Sequence, residues 1–404
     1  MKSIPADDGV SGRPHLACLA CGNATVRPIY EVFDVPVYNS LLADSATEAH
    51  SNPTGDIRLM YCGSCGFIMN ELFDASLQSY SPKFEDSQHF SNCFSSFAKS
   101  LAQRWIDQFD IRGKSILEIG CGKADFLELF CDLGDNRGIG IDPACVPERL
   151  SAAAQKHITL IQDYYSDEYS NIETDVICCR HTLEHILPTG DFVRLIRRNI
   201  GPRHDTLVIF ELPDVTRILR ERAFWDIYYE HCSYFTAGSL ARLFRRSGFD
   251  ILDLRRDYDD QYLTLVARPS SGPTKPVLQL ENDLEETTDD VNSFLDECPQ
   301  KVSGWQETLR RLCDDGKEIA AWGSGSKFVA FCTTLGITTE VSFVVDINPY
   351  KHGKFSPSTG HRIVAPEHLR ENPPDIVLVM NPIYCEEIQA DLDRLGVEAE
   401  LIPV

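Results

Sequence analysis

"KSILEIGCGKADFLELF", Lys114 to Phe130, decides the fold. Lys114 to Ile119 alternates like a buried strand, "GCG" makes a turn, and "ADFLELF" restarts at helical spacing. The next strand ends at "GIGIDP", which puts Asp142 a little over 20 residues beyond Gly120. Strand, glycine turn, helix, strand and acid together describe a nucleotide-binding βαβ unit. The glycines let a ligand approach the backbone, and the acid accepts hydrogen bonds from ribose hydroxyls. A dinucleotide fold asks for G-x-G-x-x-G. Here Asp125 stands near the third glycine's place and Glu118 precedes the first. E-x-G-x-G suits S-adenosylmethionine, which has no pyrophosphate to cradle. Glu118, Gly120, Gly122 and Asp142 are therefore the expected cofactor contacts.

Working outward, 404 residues suffice for two or three domains with well-buried cores. A formal net charge of −23 argues against a nucleic-acid partner, which needs a basic face. The first residues, "MKSIPADDGVSGRP", lack the apolar core of a signal peptide. No stretch approaches the roughly 18 apolar residues of a membrane span. We expect a cytoplasmic protein with no membrane partner, monomeric or weakly dimeric. In a reducing compartment its 15 cysteines read as metal ligands or small buried apolar groups.

Two knuckles lie ahead of the central unit. "CLACG" supplies Cys18 and Cys21, and "YCGSCG" supplies Cys62 and Cys65, each pair on a glycine-flanked turn. Four thiolates complete a closed tetrahedral shell, the structural kind of zinc site. A redox dithiol is the rival for either pair taken alone. We expect residues 1–90 to form this zinc-binding domain with a lobe inserted between the knuckles. Residues 91–270 then form the cofactor domain, led by a helix carrying Phe94, Phe97, Leu101 and Trp105. Residues 271–404 form a smaller α/β domain: acidic helices, interrupted at Pro299, then "KEIAAWGSGSKFVAFCTTLGI" and "EVSFVVDINP" with Asp346 at a strand tip. That third region reads as a structural echo of the second, although Phe328 sits where a third glycine would be. The overall class is α/β: a Rossmann-like methyltransferase core flanked by a small zinc domain and a smaller Rossmann-like domain.

Two further stretches carry chemistry. "DVICCRHTLEHI" runs from a strand into His181, Glu184 and His185; "YYEHCSYF" adds Tyr228, Glu230 and His231. Ligands of open α/β sheets lie beyond the carboxyl ends of strands, so both segments are expected to face one pocket. His181 and His185 have the i, i+4 spacing of a metal-binding helix, but Glu184 is not placed as in H-E-x-x-H. Ordinary caps and surface groups are the bland alternative. General acid/base work is the third, because methylating carbon requires removal of a proton beside a carbonyl.

Taken together, "CLACG", "YCGSCG", "LEIGCG", "HTLEHI", "YYEHCSYF" and "DINPYKHGKF" resemble the three-domain sugar C-methyltransferases over nearly the whole chain. Members of that family methylate nucleotide-linked deoxysugars in antibiotic and polysaccharide biosynthesis. The resemblance implies that a keto-sugar loses an α-proton and that its enolate takes the methyl group of S-adenosylmethionine. It implies His231 as the leading base, Tyr228 as its competitor, and Glu230 and His185 as groups that position substrate or stabilise the enolate oxygen. His181 would lie beside the cofactor, and Tyr38 and Asn39 of "FDVPVYNSLL" and Tyr80 would face the acceptor. Lys327, Lys351 and His361 would contact the nucleotide part, held between the outer lobes. Phe84 departs from the family pattern, where a second tyrosine is expected. Two other readings remain: N- or O-methylation of another small metabolite on the same scaffold, and an inactive zinc-stabilised binding protein.

Overall fold

A computed structural model describes residues 17–404 except 82, 86 and 272–275. The sequence-based expectations for the first 16 residues, and part of the "SSGPTKP" connection, lie outside the described residues. An antiparallel sheet opens the chain, built from β1 (Val26–Pro36), β2 (Thr54–Cys62) and β3 (Ile68–Asn70), with the short helix α1 (Ala46–His50) between β1 and β2. Helix α2 (Asn92–Phe109) follows. Ser91 caps it by accepting from the Phe94 amide, and it buries Phe94, Leu101, Trp105 and Ile106 on one face.

The central unit forms as the motif demands: β4 (Ser115–Ile119), α3 (Asp125–Gly134) and β5 (Arg137–Ile141), continued by β6 (Ile158–Ile161), β7 (Val176–Arg180), α4 (Thr189–Ile200), β8 (Leu207–Pro213) and α5 (Val215–Glu221). Strand β9 (Ser233–Tyr234) leaves this sheet to pair with β3, so the first sheet is completed from the middle of the chain. Helix α6 (Ala237–Arg246) and the antiparallel strands β10 (Phe249–Asp257) and β11 (Tyr262–Pro269) close the layer. The seven strands lie in the order β10-β11-β8-β7-β4-β5-β6. Strand order reverses between β4 and β7, and the ligand crevice of an open α/β sheet sits at such a point.

Helix α7 (Leu284–Asp314) then leads to a parallel sheet of β12 (Ile319–Trp322), β13 (Phe343–Val345), β14 (Ile363–Val364), β15 (Ile376–Val379) and β16 (Glu400–Pro403), with α8 (Ser326–Leu335) and α9 (Cys385–Leu395) packed on it. The echo of the central unit extends to hydrogen bonds. Asp142 accepts from the Gly122 and Ala144 amides at 2.9 and 2.6 Å; Asp346 accepts from those of Ser324 and Asn348 at 3.0 and 2.9 Å. One apolar core runs through Tyr30, Phe224, Phe294 and Phe331, tying all three regions together. No helix among the described residues is long and apolar enough to cross a membrane.

The expected break at Pro299 does not occur: α7 is one helix of 31 residues. Pro299 lies on the exposed face, while Phe294, Cys298 and Val302 on the opposite face stay buried and hold the helix together across the missing donor. Replacing Pro299 with Ala restores that donor at a modest cost in unfolded-chain entropy. The expected gain is about 2 kcal/mol of stability, read as a higher denaturant midpoint. A lower midpoint would show that the proline is fitted to this helix.

Candidate active site

The glycine turn fits the cofactor that its spacing suggests. Gly120 has φ +71°, and a Cβ there would meet Thr182 Oγ1 at 2.0 Å. Gly122 has φ +53°, and a Cβ there would meet nothing within 4 Å, the open space a ligand resting on the turn requires. Glu118 ends buried beside the turn with Oε2 unpartnered, an acceptor awaiting a donor. Burial pushes its carboxyl up to about 8, against the pull of the Arg180 guanidinium. Asp142 stands at the tip of β5 with its carboxylate braced by two amides.

Beyond β7 and β8 lies a group of buried charges. Arg180 ion-pairs with Glu211 and lies 3.7 Å over the Phe126 ring. His181, at φ +46°, sits 3.6 Å from Glu184 and 3.7 Å from Glu211, edge-on to Tyr262. Burial alone would depress His181; the two carboxylates instead raise it to about 9. Glu211, despite burial, is held down at about 2 by Arg180 and His181. His181 is thus committed to carboxylates at the strand tips. The 183–185 segment is a 3₁₀ turn, not a helix. The helical i, i+4 face considered for His181 and His185 therefore does not form.

His185 instead faces the second segment. Its ring and that of His231 lie 4.9 Å apart, nearly perpendicular. His185 Nδ1 is 2.8 Å from the Glu230 carbonyl, which can only accept, so Nδ1 carries the proton. The Tyr80 hydroxyl is 3.1 Å from the same nitrogen. Tyr228 Oη lies 3.0 Å from His231 Nε2. Burial, with Asp226, Tyr234, Glu230 and Glu184 nearby, pushes the Tyr228 phenol well above its ordinary value. Burial, with His185, His181 and Lys327, pushes His231 well below. The phenol therefore donates to a neutral imidazole. Asn39 is buried, and its backbone N–H donates to Glu230 Oε2 at 3.3 Å; Phe84 packs between the rings of Tyr38 and Tyr80. The Tyr38 hydroxyl is engaged by Leu77 and Ser79.

Residues 94–254 match a methyltransferase domain family, and residues 266–399 match the C-methyltransferase C-terminal domain. Among characterised proteins, the C-methyltransferase NovU of Streptomyces niveus is 23% identical over 395 residues, covering 93% of this chain and 92% of that protein. The chain is an S-adenosylmethionine-dependent methyltransferase with a C-methyltransferase C-terminal domain. S-adenosylmethionine is its methyl donor. Solved structures similar to it include the 1,6-didemethyltoxoflavin N1-methyltransferase of Burkholderia thailandensis (17% identity, 45% of this chain and 82% of that one, TM-score 0.35). Another is the magnesium protoporphyrin IX methyltransferase of Synechocystis PCC 6803 (12% identity, 44% and 84%, TM-score 0.34).

In this methyltransferase the four knuckle cysteines come together, each offering a sulfur within 4.8 Å of the others. Cys18–Cys65 and Cys21–Cys62 sulfurs are each 3.7 Å apart, too far for disulfides. Zn–S bonds of about 2.3 Å span tetrahedral edges of roughly 3.8 Å, so the cluster fits zinc. The outer-lobe candidates have varied surroundings. Lys327 pairs with Asp226 at 2.6 Å, and Lys351 with Asp346 at 3.1 Å. His361 is buried beside Phe328 with both ring nitrogens unpartnered. Sequence reading passed over Glu211, although an acid at the tip of an apolar strand was a usable signal. It also passed over Asp226, whose only signal was its place two residues before Tyr228.

Two outcomes follow for the methyltransferase. Zinc analysis should find one equivalent, and Cys62→Ser should lose it and destabilise the first lobe; unchanged metal content contradicts the four-cysteine site. His181 is raised on folding from 6.5 to about 9, so its contribution is fully present below pH 6.5 and lost as pH rises through about 9. The stability gap between wild type and His181→Gln should narrow over that window, as denaturant titrations would show.

Proposed function

We propose that this methyltransferase methylates the carbon beside the carbonyl of a nucleotide-linked keto-deoxysugar. The observation that carries the reading is the pair of imidazoles, 4.9 Å apart, His231 buried and His185 half-buried, on two distant segments that meet beyond the strand tips. Bound S-adenosylmethionine supplies an electrophilic methyl group. Glu118, Gly120, Gly122 and Asp142 hold it, with His181 beside them.

The acceptor's α-proton ends on His231 Nε2, the atom that Tyr228 occupies in the resting protein. A neutral imidazole supports this role, because only the unprotonated ring can take a proton. The developing enolate oxygen lies toward Tyr80 and His185. Nδ1–H of His185 is directed at the Glu230 carbonyl, and the Tyr80 hydroxyl 3.1 Å from that nitrogen faces the acceptor oxygen. Glu230 and Asn39 hold the first lobe over the pocket, and Phe84 presents an apolar wall. The nucleotide part lies between the outer lobes. Of the three residues proposed there, His361 is the best placed, because Lys327 and Lys351 are already paired. Residues 1–90, 91–270 and 271–404 then act as zinc and cover domain, cofactor domain and nucleotide-side domain, with the knuckle zinc purely structural.

Turnover in deuterium oxide tests the reading. A C-methyl product with deuterium exchange at the acceptor carbon is expected. Transfer to an amine or hydroxyl without exchange would overturn it. His231→Asn should lower turnover by roughly 10²–10⁴ while S-adenosylmethionine still binds.

A further inference from the structure

Glu184 is an unexplained buried charge. It is 2% exposed, and neither carboxylate oxygen has a hydrogen-bond partner. Its Oε1 lies 3.6 Å from His181 Nδ1, beyond hydrogen-bond range, so both oxygens keep acceptor capacity where an unmet polar atom is costly. Its backbone is fixed, because its carbonyl accepts from the Cys232 amide at 2.9 Å, next to His231. Its carboxylate and a ring nitrogen each of His185 and His231 all lie within 4.8 Å of one another. The other ionisable groups facing it are His181 at 3.6 Å, Tyr228, and the thiols of Cys179 and Cys232.

We infer that Glu184 is a positioning residue for proton abstraction, the anion that offsets the imidazolium formed when His231 takes the acceptor's proton. This rests on the enolate reading above. In that step the C–H bond breaks, its electron pair stays on the acceptor as the enolate, and an N–H bond forms on His231. No oxidant or reductant is needed. A positive charge then appears within a few ångströms of a carboxylate whose nearest cation, His181 at 3.6 Å, is shared with Glu211, and the two are stronger together in a dry site than in water. This explains how an imidazole made a weak base by burial can still remove a C–H proton. His181 does not serve instead, because its ring is held between Glu184 and Glu211.

The test compares Glu184→Gln with wild type in three readouts: hydrogen–deuterium exchange at the acceptor carbon, the pH profile of kcat/KM, and S-adenosylmethionine affinity by calorimetry. Glu184→Gln should slow exchange and methylation together by roughly 10²-fold. It should move the acid limb to lower pH, because losing an anion lowers the pKa of the neighbouring base, and it should leave cofactor affinity within about twofold. Glu184→Asp, which keeps the charge, should recover most of the rate; it also serves if Glu184→Gln does not fold. Unaltered exchange with weakened cofactor binding would overturn the inference and make Glu184 a cofactor ligand. A slowed rate with an unmoved acid limb would reduce it to a structural role. A second metal equivalent that disappears in Glu184→Gln would overturn it too. If wild type shows no exchange, the enolate reading itself fails; if wild type exchanges and Glu184→Gln matches it, only this inference fails.

Discussion

The hydrogen bond from His185 Nδ1 to the Glu230 carbonyl holds together two segments over 40 residues apart in sequence. A reciprocal bond from the Cys232 amide to the Glu184 carbonyl completes the stitch. Neither segment has enough regular structure to place its side chains alone, since one is a 3₁₀ turn and the other a loop ending in a two-residue strand. Cross-bonding through backbone carbonyls fixes the imidazole tautomer and the ring-to-ring distance together. Because the loop continues into β9, the same stitch anchors the first sheet over the pocket. The two imidazoles, the 3₁₀ turn beyond β7 and the first sheet thus share one junction.

Electrostatics at that junction depends on burial more than on any single pair. Tyr228 is driven up and His231 down by the same loss of water, so the two meet as neutral donor and neutral acceptor. One turn away, Arg180, His181 and Glu211 remain charged because each has an opposite partner at close range. A neutral pair and a charged cluster coexist within one short stretch because only the latter is paired with charge.

Much of this was legible in the chain itself. The strand, turn, helix and acid from Lys114 to Asp142 specify local structure residue by residue, and all of it forms as the pattern requires. The cysteine knuckles also signal their own meeting, because two thiol pairs on glycine turns in one small region suit a single four-sulfur site. What could not be read was tertiary. Lys327 looks like a solvated helix lysine until Asp226, from another region, lies beside it. His181 looks like a helical partner of His185 until the backbone turns through positive φ and sends the ring toward Glu211. Pro299 looks like a stop until packing on the opposite face shows why the helix continues.

The smaller α/β domain repeats the acid-at-the-tip arrangement of the cofactor domain, yet the chain's own Lys351 ammonium rests on Asp346. Burial would lift that carboxyl, but Lys351 and the amides of Ser324 and Asn348 keep it below the ordinary range. A tethered cation keeps a high effective concentration at its partner. The tip of β13 is therefore neutralised from within the chain, and a phosphate reaching Lys351 would compete with Asp346 for it.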